Sequence, residues 1–350
     1  MSLPTIFLFS DYWWFYLIFT GFVCLVLSID LGIFNKNVHA ISTKESAIWT
    51  FIWVTLAIIF NIFFYFYAQE KSIQWFMAHP SFIPTGMTAD TAGIAQGKNF
   101  GLEFFTGYII EKVLAVDNIF VFVMIFKFFS TPLKFQHKVL FFGIIGALLF
   151  RAIFISIGAV LIEYEWVIIL FGAFLILTGV KMLFAKESPI EPDKNILIRL
   201  LNKTGRVSPK TYEEIQGKFF IKENGKIYLT VLFITLVFIE FSDIVFAIDS
   251  VPAIFAITKE PLIVFTSNIF AILGLRSLYF ILANMVEKFK YLKYGLSIIL
   301  IFVGVKMVWL NHAFNGKFPI SISLSFIFIV LFICIVISII KNKKTPTTGV

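Results

Sequence analysis

Charge is scarce in this chain. Asp, Glu, Lys and Arg make up 14% of its residues, beside a hydrophobic fraction of 59%. A soluble domain carries about 25% charged residues, so a conventional water-soluble fold is excluded. Cysteine is scarcer still. Cys24 and Cys334 stand far apart, so no disulfide framework follows, and both read as small apolar residues. The four histidines, His39, His79, His137 and His312, all fall in expected loops. With no Cys near the acids discussed below, zinc and copper are disfavoured. No Gly-rich phosphate cradle occurs, so ATP hydrolysis on this chain is not expected to drive anything. No helix carries a paired-His motif or a Ser with a plausible base, and no enzymatic activity is expected. The first eleven residues hold no Lys or Arg, which argues against a cleaved signal peptide.

What remains is long apolar runs. About 20 such residues cross a bilayer as a helix. Nine segments qualify, near 12–31, 46–67, 103–127, 139–161, 166–184, 228–257, 262–286, 294–310 and 318–340. The expectation is an all-α polytopic membrane protein, since a closed barrel needs short alternating strands instead. With the N-terminus outside, cytoplasmic loops hold 20 Lys or Arg and the opposite loops four. That asymmetry predicts an N-out, C-in topology. The net charge of +8 is thereby a topological signal facing anionic lipid, and nucleic acid is not an expected partner. Residues 69–102 read as an extracytoplasmic loop after two N-terminal helices in 1–68. Residues 185–227 read as a cytoplasmic linker with one short amphipathic helix.

The chain repeats itself. Glu111–Phe120 (EKVLAVDNIF) aligns without a gap on Asp243–Pro252 (DIVFAIDSVP). Arg151 matches Arg276, and TGVKMLF (178–184) matches VGVKMVW (303–309); each arginine precedes its lysine, Lys181 or Lys306, by 30 residues. Each unit, 103–184 and 228–310, is three spans. An odd number of spans inverts the second unit relative to the first, the architecture of many secondary transporters. Two helices precede the repeats and one, 318–340, follows.

Five acids fall inside spans: Glu111, Asp117, Glu240, Asp243 and Asp249. A central Asp costs about 2.5–3.5 kcal/mol on insertion scales, so these acids need partners. Arg151 and Arg276 can neutralise two of them as buried pairs. The remaining excess of negative charge suits a cation. Asp249 lies six residues beyond Asp243, roughly 9 Å along a helix, so a straight helix does not aim both at one ion. Pro252 is expected to break the helix and free backbone oxygen beside Asp249. In the first unit Asn118 offers an amide instead. Opposed units are expected to bring Asp117 and Asp249 together. Lys112 points away from Glu111 and is expected to snorkel. Carboxylate, amide and carbonyl oxygens suit Mg²⁺, Ca²⁺ or Mn²⁺. Met124, Met182, Met285 and Met307 read as packing.

At LEFFTGYIIEKVLAVDNIFVF (102–122), FIEFSDIVFAIDSVPAIFAIT (238–258), SNIFAILGLRSLYF (267–280) and DLGIF (30–34) the chain resembles the TerC family and its Alx branch. That family is similar to lysine-exporter-type transporters with two inverted three-helix repeats. The resemblance implies manganese export across the bacterial inner membrane. It carries the acidic site onto Glu111, Asp117, Glu240, Asp243 and Asp249, with Glu103 and Asp30 as further candidates. The expected function is thus a divalent cation exporter, manganese ahead of other ions, working by alternating access with proton antiport. No tightly bound cofactor is expected; the metal is the substrate and the lipid bilayer the surroundings. The rivals are a transporter of another cation or an amino acid, and a membrane scaffold or metal-loading partner in stress or tellurite resistance.

Overall fold

The structure, a computed structural model, describes residues 5–34, 43–161, 164–184, 207–208, 210–223, 225–283, 291–314 and 318–344. The side chains of Asp30, Asp117, Phe120, Met124 and Asp249 lie outside the described part, as do Met285 and His39. The chain is an all-α polytopic membrane protein. Its helices are α1 (Phe9–Phe34), α2 (Thr43–Ala78), α3 (Ala89–Phe128), α4 (Leu133–Leu161), α5 (Glu165–Phe184), the single turn α6 (Tyr212–Ile215), α7 (Val231–Phe255), α8 (Pro261–Leu273), α9 (Leu275–Leu282), α10 (Leu292–Val305) and α11 (Ile320–Lys344). Among the described residues seven helices are long and apolar enough to cross a membrane, or eight when α8 and α9 count as one span bent by 43°. α3 occupies the position of the remaining expected span. Its Glu103, Glu111, Lys112, Asp117 and Lys127 make it too polar to qualify by composition.

Residues 69–102, expected as a loop, are mostly helix. α2 continues to Ala78 and α3 begins at Ala89, where Thr88 and Thr91 form a reciprocal N-terminal cap. The reason is a seam of small residues. Gly93, Gly97 and Gly101 recur one turn apart on α3 and face Ile73, Gln69 and Tyr65 of α2. A Cβ on Gly97 would come within 2.6 Å of the Gln69 Cα, so the two backbones touch. Close approach of this kind favours dispersion contacts between helices. The polar residues that suggested a loop cover the outer side of α2, where Lys71 donates to Gln74 (3.1 Å) and Gln74 to Glu70 (3.2 Å). At 36 residues α2 is about 54 Å long, which outruns a hydrocarbon core of about 30 Å.

The expected linker 185–227 also carries more structure than one helix, although 185–206 lie outside the described residues. Phe220–Glu223 and Lys226–Leu229 form an antiparallel hairpin, β1 and β2, with Glu223 opposite Lys226. Gly225, just before β2, adopts φ +77°, the left-handed backbone that makes Asn-Gly a hairpin signal. α6 precedes the hairpin. There the Thr211 backbone N–H, and then its hydroxyl, hold the Glu214 carboxyl below the usual carboxylate range. Tyr212 ties this platform to the α3–α4 turn by donating to the Phe129 carbonyl at 2.8 Å.

Two further expectations change. α7 runs unbroken through Pro252 to Phe255. Proline here removes one hydrogen bond near the C-terminal end, too little to unwind the helix. The break falls instead at Gly274, between α8 and α9, two residues before Arg276. His137, expected in a loop, lies in the first turns of α4.

The packing of the two units is reciprocal. α3 lies against α8 and α4 against α7, α3 touches α7, and α5 lies along α10. The α5–α10 contact shows the reciprocity residue by residue. A Cβ on Gly304 would lie 2.6 Å from the Gly172 carbonyl oxygen, and one on Gly179 would lie 2.8 Å from that of Ser297. The shift of 125 residues that relates Arg151 to Arg276 also relates Gly172 to Ser297 and Gly179 to Gly304. The second contact is therefore the first with its members exchanged.

Candidate functional site

The charged centre is built on one face of α4. Arg151 is 2% exposed, in an apolar helix, and cannot stay there without a counter-charge. Its Nη1 forms an ion pair with Glu111 of α3 and donates to Asn268 Oδ1 of α8 at 2.8 Å. Glu111 is as deeply buried, at 1% exposure. One turn and a half earlier on α4, the absence of a side chain at Gly146 makes room for the Glu240 carboxylate of α7. Gly143 lines a narrow crevice with Asp243 of α7 and Arg276 of α9. That crevice repeats the first arrangement, because Asp243, Arg276 and Gly143 are the repeat-matched counterparts of Glu111, Arg151 and Asn268. Arg151 also acts electrostatically on Asp243.

The network is only partly satisfied. Glu111 Oε2, Arg151 Nε, Asn268 Nδ2, Glu240 Oε2 and Asp243 Oδ1 are buried with no hydrogen-bond partner among the described residues. Such atoms are costly in a low-dielectric interior. They mark a place where water, a proton or an ion can be taken up.

Asn118 is separate from this centre. It lines a cavity of about 60 Å³ between α3, α5, α7 and α10, with Thr178, Met182 and Ser250 among its other walls. Asn118 and Ser250 occupy matching repeat positions, as do Leu114 and Phe246, and all four line this one cavity. The Ser250 hydroxyl is buried and has no partner among the described residues. Asp117 and Asp249 directly precede Asn118 and Ser250 on α3 and α7; the expected meeting of their side chains lies outside the described residues.

The expected set of Glu111, Asp117, Asn118, Glu240, Asp243 and Asp249 is thus divided. Glu111, Glu240 and Asp243 lie against α4, Glu111 on its Arg151, Glu240 at Gly146 and Asp243 beside Gly143, whereas Asn118 faces the cavity. No group of three His, Cys, Asp or Glu suited to a metal ion occurs among the described residues. Lys112 does not snorkel. Its ammonium donates to the Ala271 carbonyl of α8 at 2.9 Å, beside the Gly274 break. It thereby caps the carbonyl end of α8, where a positive charge is favoured.

Sequence reasoning missed Asn268, Gly143 and Gly146, each of which is defined by what it faces. The polar triplet Thr266-Ser267-Asn268 in the otherwise apolar run 261–273 was the available signal for Asn268. It also missed Glu260. This acid precedes α8 and accepts hydrogen bonds from the Ile6 and Phe7 backbone N–H groups at 2.7 and 3.0 Å. It fastens the N-terminal segment, whose Phe7 ring packs among Tyr12, Phe64 and Phe100. Thr258 extends the contact, donating to Glu103 at 2.5 Å and accepting from the Glu260 N–H at 3.2 Å. Replacing Glu260 with alanine strands two buried donors, at about 1–3 kcal/mol each. The expected result is a clear fall in thermal midpoint in detergent, about half of it recovered in Glu260→Gln. An unchanged midpoint in the alanine variant would show that the N-terminal segment does not depend on this anchor.

Helices of this length and apolarity, with buried charge and a small cavity between them, define a polytopic integral membrane protein of transporter-like build. The chain belongs to the integral membrane protein TerC family, which it matches over residues 96–346. It is 44% identical over 331 residues to a Myxococcus xanthus protein named "Uncharacterized membrane protein STKORF319", covering 94% of this chain and 93% of the relative. It is 42% identical over 328 residues to a Salmonella typhi protein named "Putative membrane-bound redox modulator Alx", covering 93% and 94%. The protein of that name from Escherichia coli K12 is 40% identical with the same coverage. No solved structure matches the chain.

Proposed function

We propose that this protein exports a divalent metal cation, manganese ahead of others, across the bacterial inner membrane by alternating access. In this reading nine spans run from an outer N-terminus to a cytoplasmic C-terminus. Two inverted three-helix repeats form the core, as in lysine-exporter-type transporters. Asp117 and Asp249 supply the carboxylates that meet the ion, and Asn118 adds an amide oxygen. Glu240 and Asp243 form the acidic surroundings in which protons exchange against metal. Glu111 has a different role from the one its sequence suggested. Held by Arg151, it serves as fixed counter-charge that keeps α3, α4 and α8 in register.

One observation carries the reading. Repeat-matched residues from α3 and α7, each next to an in-span aspartate, line a single cavity, to which Asn118 and Ser250 bring polar groups. A site at such a pseudo-axis can be exposed to either side by rocking one unit against the other. The name of the Salmonella and Escherichia relatives carries a redox role. Here Cys24 and Cys334 are free thiols on α1 and α11, so a redox effect of this chain is better assigned to its ion than to a dithiol.

The test is manganese transport in everted vesicles. Asp117→Asn and Asp249→Asn are each expected to abolish it, while Glu240→Gln weakens its dependence on a proton gradient. Wild-type rates in both aspartate variants would reject the assignment. Transport of lysine but not manganese would favour the rival solute. Function that survives loss of all five acids but fails on changes in 185–227 would favour a scaffold.

A further inference from the structure

The β1–β2 hairpin is set at the membrane surface by what it touches. Leu229, its last residue, stands one position before Thr230, which caps α7, and α7 is long and apolar enough to span the bilayer. Phe219, just before β1, packs edge-on against Phe142 of α4 with ring centres 5.2 Å apart. Phe220 packs against Phe233 in the first turn of α7 at 4.7 Å. Phe142 opens a stripe of exposed apolar residues on α4, continued by Ile145, Leu149 and Ile153 at helical spacing. On a spanning helix such a stripe meets acyl chains. The hairpin therefore begins where the lipid-facing surface of α4 ends.

Register decides what the hairpin presents. Side chains alternate along a strand, and directly paired residues share a face. Phe220 opposite Leu229 and Lys222 opposite Ile227 lie on one face; Ile221, Glu223, Lys226 and Tyr228 lie on the other. On the first face Phe220 is 51% exposed and Ile227 60%. They are diagonal neighbours across the ladder, with exposed Lys222 beside them. The surrounding charge has one sign. Segments 127–138 and 218–229 adjoin, since the Lys138 ammonium donates to the Gly217 carbonyl at 2.8 Å and lies over the Phe219 ring. Together these two segments hold six lysines, Lys127, Lys134, Lys138, Lys218, Lys222 and Lys226, against one acid, Glu223. That acid is already paired with Lys210.

An exposed Phe and Ile flanked by lysines suit the boundary between headgroups and acyl chains, where apolar side chains enter and ammonium groups meet phosphate. We propose that the hairpin is a docking surface for an anionic phospholipid bilayer, with Phe220 and Ile227 entering the boundary and Lys218, Lys222 and Lys226 held by lipid phosphates. Such docking does not depend on which solute the protein moves. Its consequence is mechanical. Tyr212 ties this platform to the end of α3, and Thr230 begins α7. Lipid held at the hairpin therefore fixes the ends of the two helices that carry Glu111, Glu240 and Asp243.

The experiment uses the full chain, carrying Cys24→Ser and Cys334→Ser, in nanodiscs of phosphatidylcholine with or without phosphatidylglycerol. A polarity-sensitive fluorophore is attached at Ile227→Cys or, on the opposite face, at Tyr228→Cys. The label at 227 is expected to shift to the blue and to lose access to acrylamide when phosphatidylglycerol is present, and the label at 228 to stay unchanged. Replacing Lys218, Lys222 and Lys226 with Gln should lower the ratio of docked to free hairpin about fivefold per lysine. Salt at 1 M, where the Debye length is about 3 Å, should weaken docking without any lysine replacement. A label at 227 equally open in both bilayers would overturn the proposal. Equal protection in both would overturn it too, because apolar insertion alone or a covering protein segment would then account for the face. A response of the same size at 228 would show that the hairpin has no lipid-facing side.

Discussion

Arg151→Ala is expected to destabilise the protein by about 3–5 kcal/mol, the range for stripping one partner from a buried ion pair. Arg151 and Glu111 are both almost fully enclosed, and the guanidinium also holds Asn268, so its removal leaves a carboxylate and an amide oxygen without their donor. The surroundings are helix and lipid, and water cannot replace the guanidinium at low cost. The measurement is the thermal midpoint in a fixed detergent, read for Arg151→Ala, Glu111→Gln and the double replacement. Coupling is the decisive quantity. The double variant should recover part of the loss, because it removes both charges together. Strictly additive losses would show that the two groups do not depend on each other. The same variants separate structure from transport. If Glu111 is counter-charge, the folded fraction of the double variant retains manganese transport, in contrast to Asp117→Asn.

The second large effect concerns a residue with no charge. Gly97→Leu is expected to cost on the order of 3 kcal/mol, the upper end of overpacking penalties. A side chain at this position meets the Gln69 backbone of α2, which cannot rotate aside as a side-chain tip can. The helices must separate, and the contacts on either side, at Gly93 and Gly101, loosen with them. The loss should appear as a lowered thermal midpoint and a smaller monodisperse fraction on size exclusion. Gly21→Ala is the comparison, since a methyl group there meets nothing within 4 Å and alanine suits a helix better than glycine. Equal outcomes for the two variants would remove the glycine seam as a reason for the long α2–α3 pair. Because α3 also bears Glu103, Glu111 and Asn118, a displaced α3 should impair transport by whatever of the protein remains folded.

The glycine seam shows how the sequence was misread. Gly93, Gly97 and Gly101 carry the four-residue spacing of a helix contact in plain view. They stand among Asp90, Gln96, Lys98 and Asn99, and the local polarity outweighed the period. The hairpin was equally legible, since Asn224-Gly225 lies between Phe220-Ile221 and Ile227-Tyr228. Its charged flanks, rich in turn residues, mask that signal. Pro252 misled in the opposite direction. Proline weakens a helix wherever it sits, but near the end of α7 only one hydrogen bond is lost, and tertiary packing outweighs it. The Gly274 bend has no comparably strong local signal. It stands where Lys112, reaching across from α3, stabilises a carbonyl end that an unbroken helix would not expose.

By itself the sequence determined the class of protein, the presence of long apolar helices and the identity of the acids that stand among their apolar residues. These follow from composition and short-range period, which are properties of neighbouring residues and of the solvent they prefer. The tertiary structure alone decided that Arg151 takes Glu111, that Gly146 yields its space to Glu240, and that Glu260 secures the N-terminal segment. Each is a choice between partners more than thirty residues apart. Distance along the chain holds no information about it, because the choice is made by how rigid helices fit against one another.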